Sequence, residues 1–345
     1  GASGVGVDGY IEGNTIYADN NNNGILDGGD STASTSSTGV FKLYGASGPL
    51  IMTGGTDKAT GLPFGVQYEA PAGYTSITPI STVVRNLEKK DTIYTGSEAT
   101  TVAESKVSLV IGLDSSVNLS TFDAYNAVSD INLINPALAY QKAAASIALA
   151  VDIGSTGFVK LVEMIEKAGG VVGDAYKVKN QSDPFDTQKA SMLIFEAIAD
   201  SIISGDIKAG YLKTFGSESG HVRDVAIKLN AIVAPVAQEI LGSHYSDYIT
   251  AVENKANMIA AGVDRINKVA STSDLTRETA ISGLIEVVKT QSVWQGDANR
   301  ALEDSNPNND WLTENYSLAE NVTFKLVTTA GVPLEEGAEG YGSTD

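Results

Sequence analysis

The spacing of hydrophobic positions changes near residue 78. Before it, short runs such as Thr15-Ile16-Tyr17 and Val40-Phe41-Lys42-Leu43 alternate in and out. Stretches rich in Gly, Asn, Thr and Ser separate them, the pattern of strands between turns. After it, apolar residues recur at helical spacing. Thr78-Pro79 offers an N-cap hydroxyl and a proline pre-set for the first helical position, followed by Ile80, Val83, Val84 and Leu87 on one face. Asn135-Pro136 and Asp183-Pro184 repeat the device. Beyond Asp183, the residues Ala190, Leu193, Ile194, Ala197, Ile198 and Ile202 form one stripe and Gly205 follows as a C-cap, which predicts a helix over 184–204. Further helices are expected over about 98–111, 136–152, 157–168, 221–241, 245–269 and 275–292, with a kink at Pro235. After Trp294 the pattern is polar until Asn321-Val322-Thr323-Phe324-Lys325-Leu326-Val327, which alternates as one late strand. The expected class is α+β. A small calcium-binding β-sandwich spans 1–77, a mostly helical bundle 78–296, and an acidic C-terminal segment with one strand 297–345.

Charge narrows the choice of partners. The 345 residues carry 23 Lys+Arg against 42 Asp+Glu, a formal charge of −19. The ends hold most of the excess: residues 1–57 have six acids and one base, and residues 297–345 have ten acids and two bases. No clustered Lys/Arg is available to displace counterions from phosphates, so nucleic acid and anionic membrane surfaces are not expected partners. Cysteine is absent, which excludes disulfides, thiolate metal sites and cysteine nucleophiles together. No apolar run reaches the roughly 18 residues of a membrane span, the longest candidate, Met192 to Ile203, being broken by Glu196 and Asp200. Membrane insertion is not expected. Gly1-Ala2-Ser3-Gly4 has neither a basic nor an apolar leader region, so any signal peptide is expected to have been removed.

One motif carries specific chemistry. From Asp19 to Asp30 the chain reads DNNNNGILDGGD, which places side-chain oxygens at positions 1, 3, 5, 9 and 12 of a calcium loop: Asp19, Asn21, Asn23, Asp27 and Asp30. Gly24 supplies the sharp turn at position 6, and Ile25 offers its carbonyl at position 7. A hard cation takes six to eight oxygens, and alternate residues of a tight loop can turn theirs inward. The departure from the strict pattern is Asp rather than Glu at the last position, a shorter carboxylate. The alternative is an Asn/Asp-rich turn without metal, since these residues favour turns for reasons of their own. With three carboxylates among five side chains, the expected affinity for Ca²⁺ is that of extracellular modules, about 10⁻⁴ to 10⁻³ M.

The loop and its flanks carry a resemblance. Val7-Asp8-Gly9-Tyr10-Ile11-Glu12-Gly13-Asn14-Thr15-Ile16-Tyr17 runs into the loop, and Ser31-Thr32-Ala33-Ser34-Thr35-Ser36-Ser37-Thr38-Gly39-Val40-Phe41 follows it. The whole resembles the calcium-loaded β-sandwich modules of bacterial surface proteins, similar to the B repeats of staphylococcal adhesins and to modules of large secreted adhesins. It covers about 40 residues. Gly48-Pro49-Leu50-Ile51-Met52-Thr53-Gly54-Gly55-Thr56-Asp57 and Ala70-Pro71-Ala72-Gly73 resemble segments of the same proteins less specifically. The resemblance implies an extracellular structural or adhesive role with calcium stiffening the module. Related collagen-adhesin domains form an isopeptide bond from an early Lys, whereas the first Lys here is Lys42.

Other candidates are weaker. Asp304, Asn306, Asn308 and Asp310 alternate as a second possible calcium loop, but no Gly stands at position 6 and Asn315 occupies position 12. The alternative is an acidic surface turn. His221 and His244, the only histidines, belong to no catalytic or metal motif. Tyr10, Tyr17, Tyr44, Phe64, Tyr68 and Tyr74 could form a sugar platform, although strand packing is the ordinary use of such residues. No carboxylate pair or phosphate loop is signalled, so the expectation is not an enzyme. It is a secreted or cell-surface structural subunit acting by assembly or adhesion, whose late strand either completes its own sandwich, the more usual outcome, or pairs with a neighbour in a filament or surface layer. A glycan- or peptide-binding module with its ligand at the junction of the two parts is the alternative, and a hydrolase with an unrecognised carboxylate pair a weaker one.

Overall fold

A computed structural model describes residues 2–6, 11–37, 39–57, 63–114, 117–167, 169–179, 181–207, 234–235, 237–246 and 276–287. The architecture is α+β, with strands preceding helices. The strands are β1 (Ala2–Gly6), β2 (Ile11–Glu12), β3 (Thr15–Ala18), β4 (Ser31–Ala33), β5 (Val40–Leu43), β6 (Leu50–Thr53), β7 (Thr56–Asp57), β8 (Tyr68–Ala70) and β9 (Ser76–Ile77). The strands of the expected sandwich divide among ladders of four, three and two, in the orders β4-β3-β6-β8, β5-β1-β9 and β2-β7. All pairings are antiparallel except β1 with β9.

Burial explains the sequence pattern strand by strand. β5 alternates, with Phe41 and Leu43 buried and Lys42 exposed. The central strand β6 does not: Leu50, Ile51 and Met52 are all buried, as a strand covered on both faces requires. Its register with β3 sets Tyr17 opposite Ile51 and Ile16 opposite Met52. Close backbone approach fixes one glycine here. A Cβ on Gly4 would lie 1.9 Å from the Thr75 carbonyl oxygen.

The helices are α1 (Pro79–Lys89), α2 (Gly96–Ile111), α3 (Ala124–Ala127), α4 (Ile134–Lys167) and α5 (Thr187–Ser204), with shorter helical pieces over 234–235, 237–241 and 277–287. α1 begins where the sequence indicates. The Thr78 hydroxyl accepts from the backbone nitrogens of Ile80 and Ser81, each at 3.1 Å, and the Ser81 hydroxyl accepts from the Thr78 nitrogen at 2.8 Å, a reciprocal capping box. Thr78 Oγ1 also lies 2.7 Å from the Tyr140 hydroxyl of α4. The other two proline devices are displaced. Asn135 and Pro136 lie inside the first turn of α4, which is preceded by a 3-10 turn, Ile131–Leu133, capped by Asp130. α5 starts three residues past Pro184, because Asp186 caps it by accepting from the Lys189 nitrogen at 2.9 Å. Gly205 ends α5 in the left-handed region, as expected.

The helices expected over 136–152 and 157–168 are one. Gly154 and Ser155, which fall between the two expected helices, and Gly157, the expected start of the second, are buried within α4, where small residues permit close packing instead of a break. This also corrects the expectation that no segment is long and apolar enough to span a membrane. The helical stretch Ile131–Lys167 is, with mean hydropathy 1.5, but 81% of its apolar window is buried inside the protein, the condition of a core helix. The expected helices 221–241 and 245–269 fall largely outside the described residues, as does the late strand.

No gap in the core marks residue 77. Buried side chains from Ile11 to Val287 form one continuous cluster across the expected boundary. Tyr68 of β8 is edge-on to Phe64 at 4.9 Å and to Phe195 of α5 at 6.1 Å, joining sheet and helices.

Two consequences are measurable. Thr78→Val keeps the shape but loses the cap and the Tyr140 contact, so it should cost about 1–3 kcal/mol in denaturant melts, with an unchanged m value. Lys142 of α4 is 4% exposed, and burial pushes its amine down to about 8 from the ordinary 10.5. Below about 8 the folded chain holds a desolvated ammonium. As pH rises from there towards 10.5, the unfolded chain retains the proton that the folded chain has lost, so stability should climb. Lys142→Met should abolish that climb and raise stability at neutral pH by about 2–3 kcal/mol.

Candidate functional site: the Asp19–Asp30 loop and the adjoining cleft

The loop joins β3 to β4, neighbouring antiparallel strands, so its two ends are held side by side by Ala18 opposite Ser31. Its carboxylates are all engaged by N–H groups. Asp19, 1% exposed, accepts from Asn23 N at 3.0 Å on one oxygen and from Gly24 N at 2.7 Å on the other. Asp30 accepts from Asn20 N and from Asp27 N, each at 3.0 Å, and so clips the two ends of the loop together. Asp27 accepts from Gly29 N at 3.0 Å and, on its other oxygen, from the side-chain amides of Asn21 at 2.7 Å and Asn23 at 2.8 Å. The Gly29 amide first, then the two asparagines, hold the Asp27 carboxyl below its ordinary value. Asn21 and Asn23 use their oxygens to accept from the nitrogens two residues on, Asn23 and Ile25, which shapes the turns. Asn22 and Gly24 sit in the left-handed region that tight turning requires.

The predicted site residues are therefore brought together on one loop. Its donor set is oxygen only, which suits a hard cation. Most of the side-chain oxygens accept one N–H bond and keep a second lone pair for further coordination. The three carboxylates are not gathered into one cluster. Among the described residues no three acidic or histidine side chains converge as a ready metal site. Asp27 instead faces the asparagine amides. Those amides would have to turn their oxygens inward for the full set of Asp19, Asn21, Asn23, Ile25, Asp27 and Asp30 to coordinate together.

Residues that the motif does not name tie the loop to the body. Asn20 Oδ1 accepts from Ser47 N at 2.9 Å and Gly48 N at 3.1 Å, and its amide donates to the carbonyls of Gly29 and Gly45. Contact is so close that a Cβ on Gly48 would lie 2.0 Å from the Asp19 carbonyl oxygen. Arg85 of α1 donates to Asn22 Oδ1 at 2.6 Å and to Glu88 Oε1 at 2.6 Å, and Thr100 of α2 donates to Glu88 Oε2 at 2.6 Å. The only signal for these partners in the sequence is that they are polar.

Between the loop and helices α1 and α2 opens a cleft of about 960 Å³. Its lining includes Asn22, Glu69, Tyr74, Arg85, Glu88, Lys89, Tyr94 and Glu104. Glu69 is nearly buried and pairs with Lys89 at 2.7 Å. Burial pushes the Glu104 carboxyl up; the Tyr74 hydroxyl opposes that shift and Glu88 adds to it. The aromatic candidates do not make a sugar platform among the described residues. Tyr17, Phe64, Tyr68 and Tyr74 are buried, and of the described candidates only Tyr44 is exposed, with the Lys42 amine 5.6 Å from its ring centre. Burial and the nearby Asp19, Glu69 and Asp30 push the Tyr17 hydroxyl up to about 12. His221, Tyr10 and Asp304–Asp310 lie outside the described residues, and His244 falls in a 3-10 turn, Gly242–His244. Comparison with protein-family models, with characterised proteins and with solved structures found no match to the chain.

The Asp27 arrangement predicts a pH effect. Because its carboxyl titrates below the ordinary 3.8 in the folded chain, the stability it contributes is complete above that value and is lost as pH falls through the folded value. Asp27→Asn should melt lower than the wild type at neutral pH, and the difference should shrink on acidification. A difference that persists undiminished in acid would contradict this.

Proposed function

We propose that the protein is an extracellular, calcium-stabilised structural or adhesive component of a bacterial cell surface, acting by assembly or attachment rather than turnover. The observation that carries this reading is the Asp19–Asp30 loop, where six oxygen-bearing residues at calcium-loop spacing bridge two paired strands. A bound Ca²⁺ would neutralise three carboxylates and crosslink the strand ends. Asp19, Asp27 and Asp30 supply the charge, while Asn21, Asn23 and the Ile25 carbonyl complete the oxygen set. The acidic composition and the weak affinity expected of such a loop suit a medium with millimolar calcium, outside cells. Strand pairing between copies through an edge strand would build a filament or surface layer. A second reading, a module that holds a ligand at the junction of strands and helices, draws support from the cleft beside the loop.

Thermal melts at about 10 mM Ca²⁺ and in chelator test the metal. A site of the expected affinity should add about 1.4–2.7 kcal/mol, and Asp19→Ala with Asp30→Ala should abolish the gain. Superimposable wild-type melts would remove the metal from the reading. Light scattering under the same conditions should show large particles that need calcium, whereas monomers in both would remove self-assembly.

A further inference from the structure

The cleft has an unbalanced charge. Its two bases are already paired, Arg85 with Glu88 at 2.6 Å and Lys89 with Glu69 at 2.7 Å. Glu104 also lines it and forms no ion pair among the described residues. Glu88 lies close enough to raise the Glu104 carboxyl further, so a positive charge arriving there would relieve a repulsion. A second observation points to the same place. Tyr74, also in the lining, is 2% exposed, and its hydroxyl is buried with no hydrogen-bond partner within 3.5 Å, while the Glu104 carboxyl is close enough to push that hydroxyl up. An orphaned buried hydroxyl costs stability in the empty protein and can be satisfied when a ligand draws the neighbouring carboxylate into place. Tyr94, exposed and also in the lining, carries a ring of the kind that attracts cations.

We propose that this cleft binds an organic cation, an ammonium or guanidinium group, with Glu104 as its counter-ion, the Tyr74 hydroxyl positioning that carboxylate and Tyr94 flanking the charge. The proposal rests on the ligand-binding reading and names the chemistry that such a ligand would carry. It needs no metal in the loop.

The test is calorimetric titration of the full chain, in calcium and in chelator, with three probes: a blocked hexapeptide carrying one Lys, spermidine, and neutral maltohexaose. The peptide or the polyamine should bind in both media, and which one binds identifies the source of the cation. Glu104→Gln should weaken binding roughly tenfold, while Glu196→Gln, exposed on α5 and outside the cleft lining, should leave it unchanged. Equal loss in both variants would reveal only the diffuse field of a chain of charge −19 and overturn the site. Tyr74→Phe should melt no lower than the wild type yet bind severalfold more weakly; a lower melt with unchanged binding would return the hydroxyl to the core. Binding of maltohexaose alone would overturn the cation while sparing the ligand cleft, and silence from all three probes would overturn both.

Discussion

The structure depends on how the outer edge of β8 is satisfied. β8 is the last strand of its ladder, so its free N–H and C=O groups need partners that β6 cannot supply. Helical hydroxyls provide them. Ser81 donates to the Glu69 carbonyl at 2.7 Å, and Thr82 accepts from the Glu69 nitrogen at 3.0 Å. In the segment that leads into β8, Ser191 accepts from the Gln67 nitrogen at 3.1 Å and Thr187 donates to the Gly65 carbonyl at 2.7 Å. Two helices far apart in sequence thus satisfy β8 and the segment that leads into it, α1 at Glu69 and α5 at Gly65 and Gln67. Each bond is modest in net terms, about 1 kcal/mol, yet leaving any of these backbone groups dry and unpaired would cost more. That asymmetry fixes where α1 and α5 sit.

The seam also explains why the apolar core does not divide at residue 77. Once α1 and α5 are held against β8, Tyr68 is brought edge-on to Phe195, and Val83, Val84 and Leu87 are buried in the same cluster as Ile16 and Met52. Hydrophobic burial is non-directional and would tolerate several placements of a helix on a sheet. The hydroxyl bonds are directional and select one. Ser81 has two duties, accepting from Thr78 to close the capping box and donating to Glu69, so the start of α1 and its seat on the strand are set by the same side chain.

What the sequence reveals depends on whether the interaction is local. The α1 cap is local, and Thr78-Pro79 announces it. The calcium-loop spacing is local as well, and the ordered oxygens from Asp19 to Asp30 show it without any structure. Two local signals compete at Asp183-Pro184 and Asp186, and the later one wins because its carboxylate reaches the Lys189 nitrogen. Gly154 and Gly157 mislead because glycine both breaks helices and lets them pack closely, and only burial decides between these uses. The seam on β8, the Arg85 bridge and the cleft are not legible, since most of their partners lie from 12 to 124 residues apart and involve no distinctive type. The division of strands into three ladders is hidden for the same reason: alternation predicts a strand but not its neighbour.

The loop is therefore less independent than its motif suggests. Arg85 holds Asn22 on one side and Glu88 on the other, and Glu88 is fixed in turn by Thr100, so a chain of charge-assisted bonds runs from the loop through α1 to α2. Asn20 anchors the opposite side of the loop to the backbone around Ser47 and Gly48. A loop clamped on both flanks has little conformational entropy left to lose, so a cation would meet a framework already turned, with only the asparagine amides left to rotate. The same clamps make the loop one wall of the cleft. Any change in the loop that moves Asn22 must act on Arg85, and through it on the charge balance opposite Glu104.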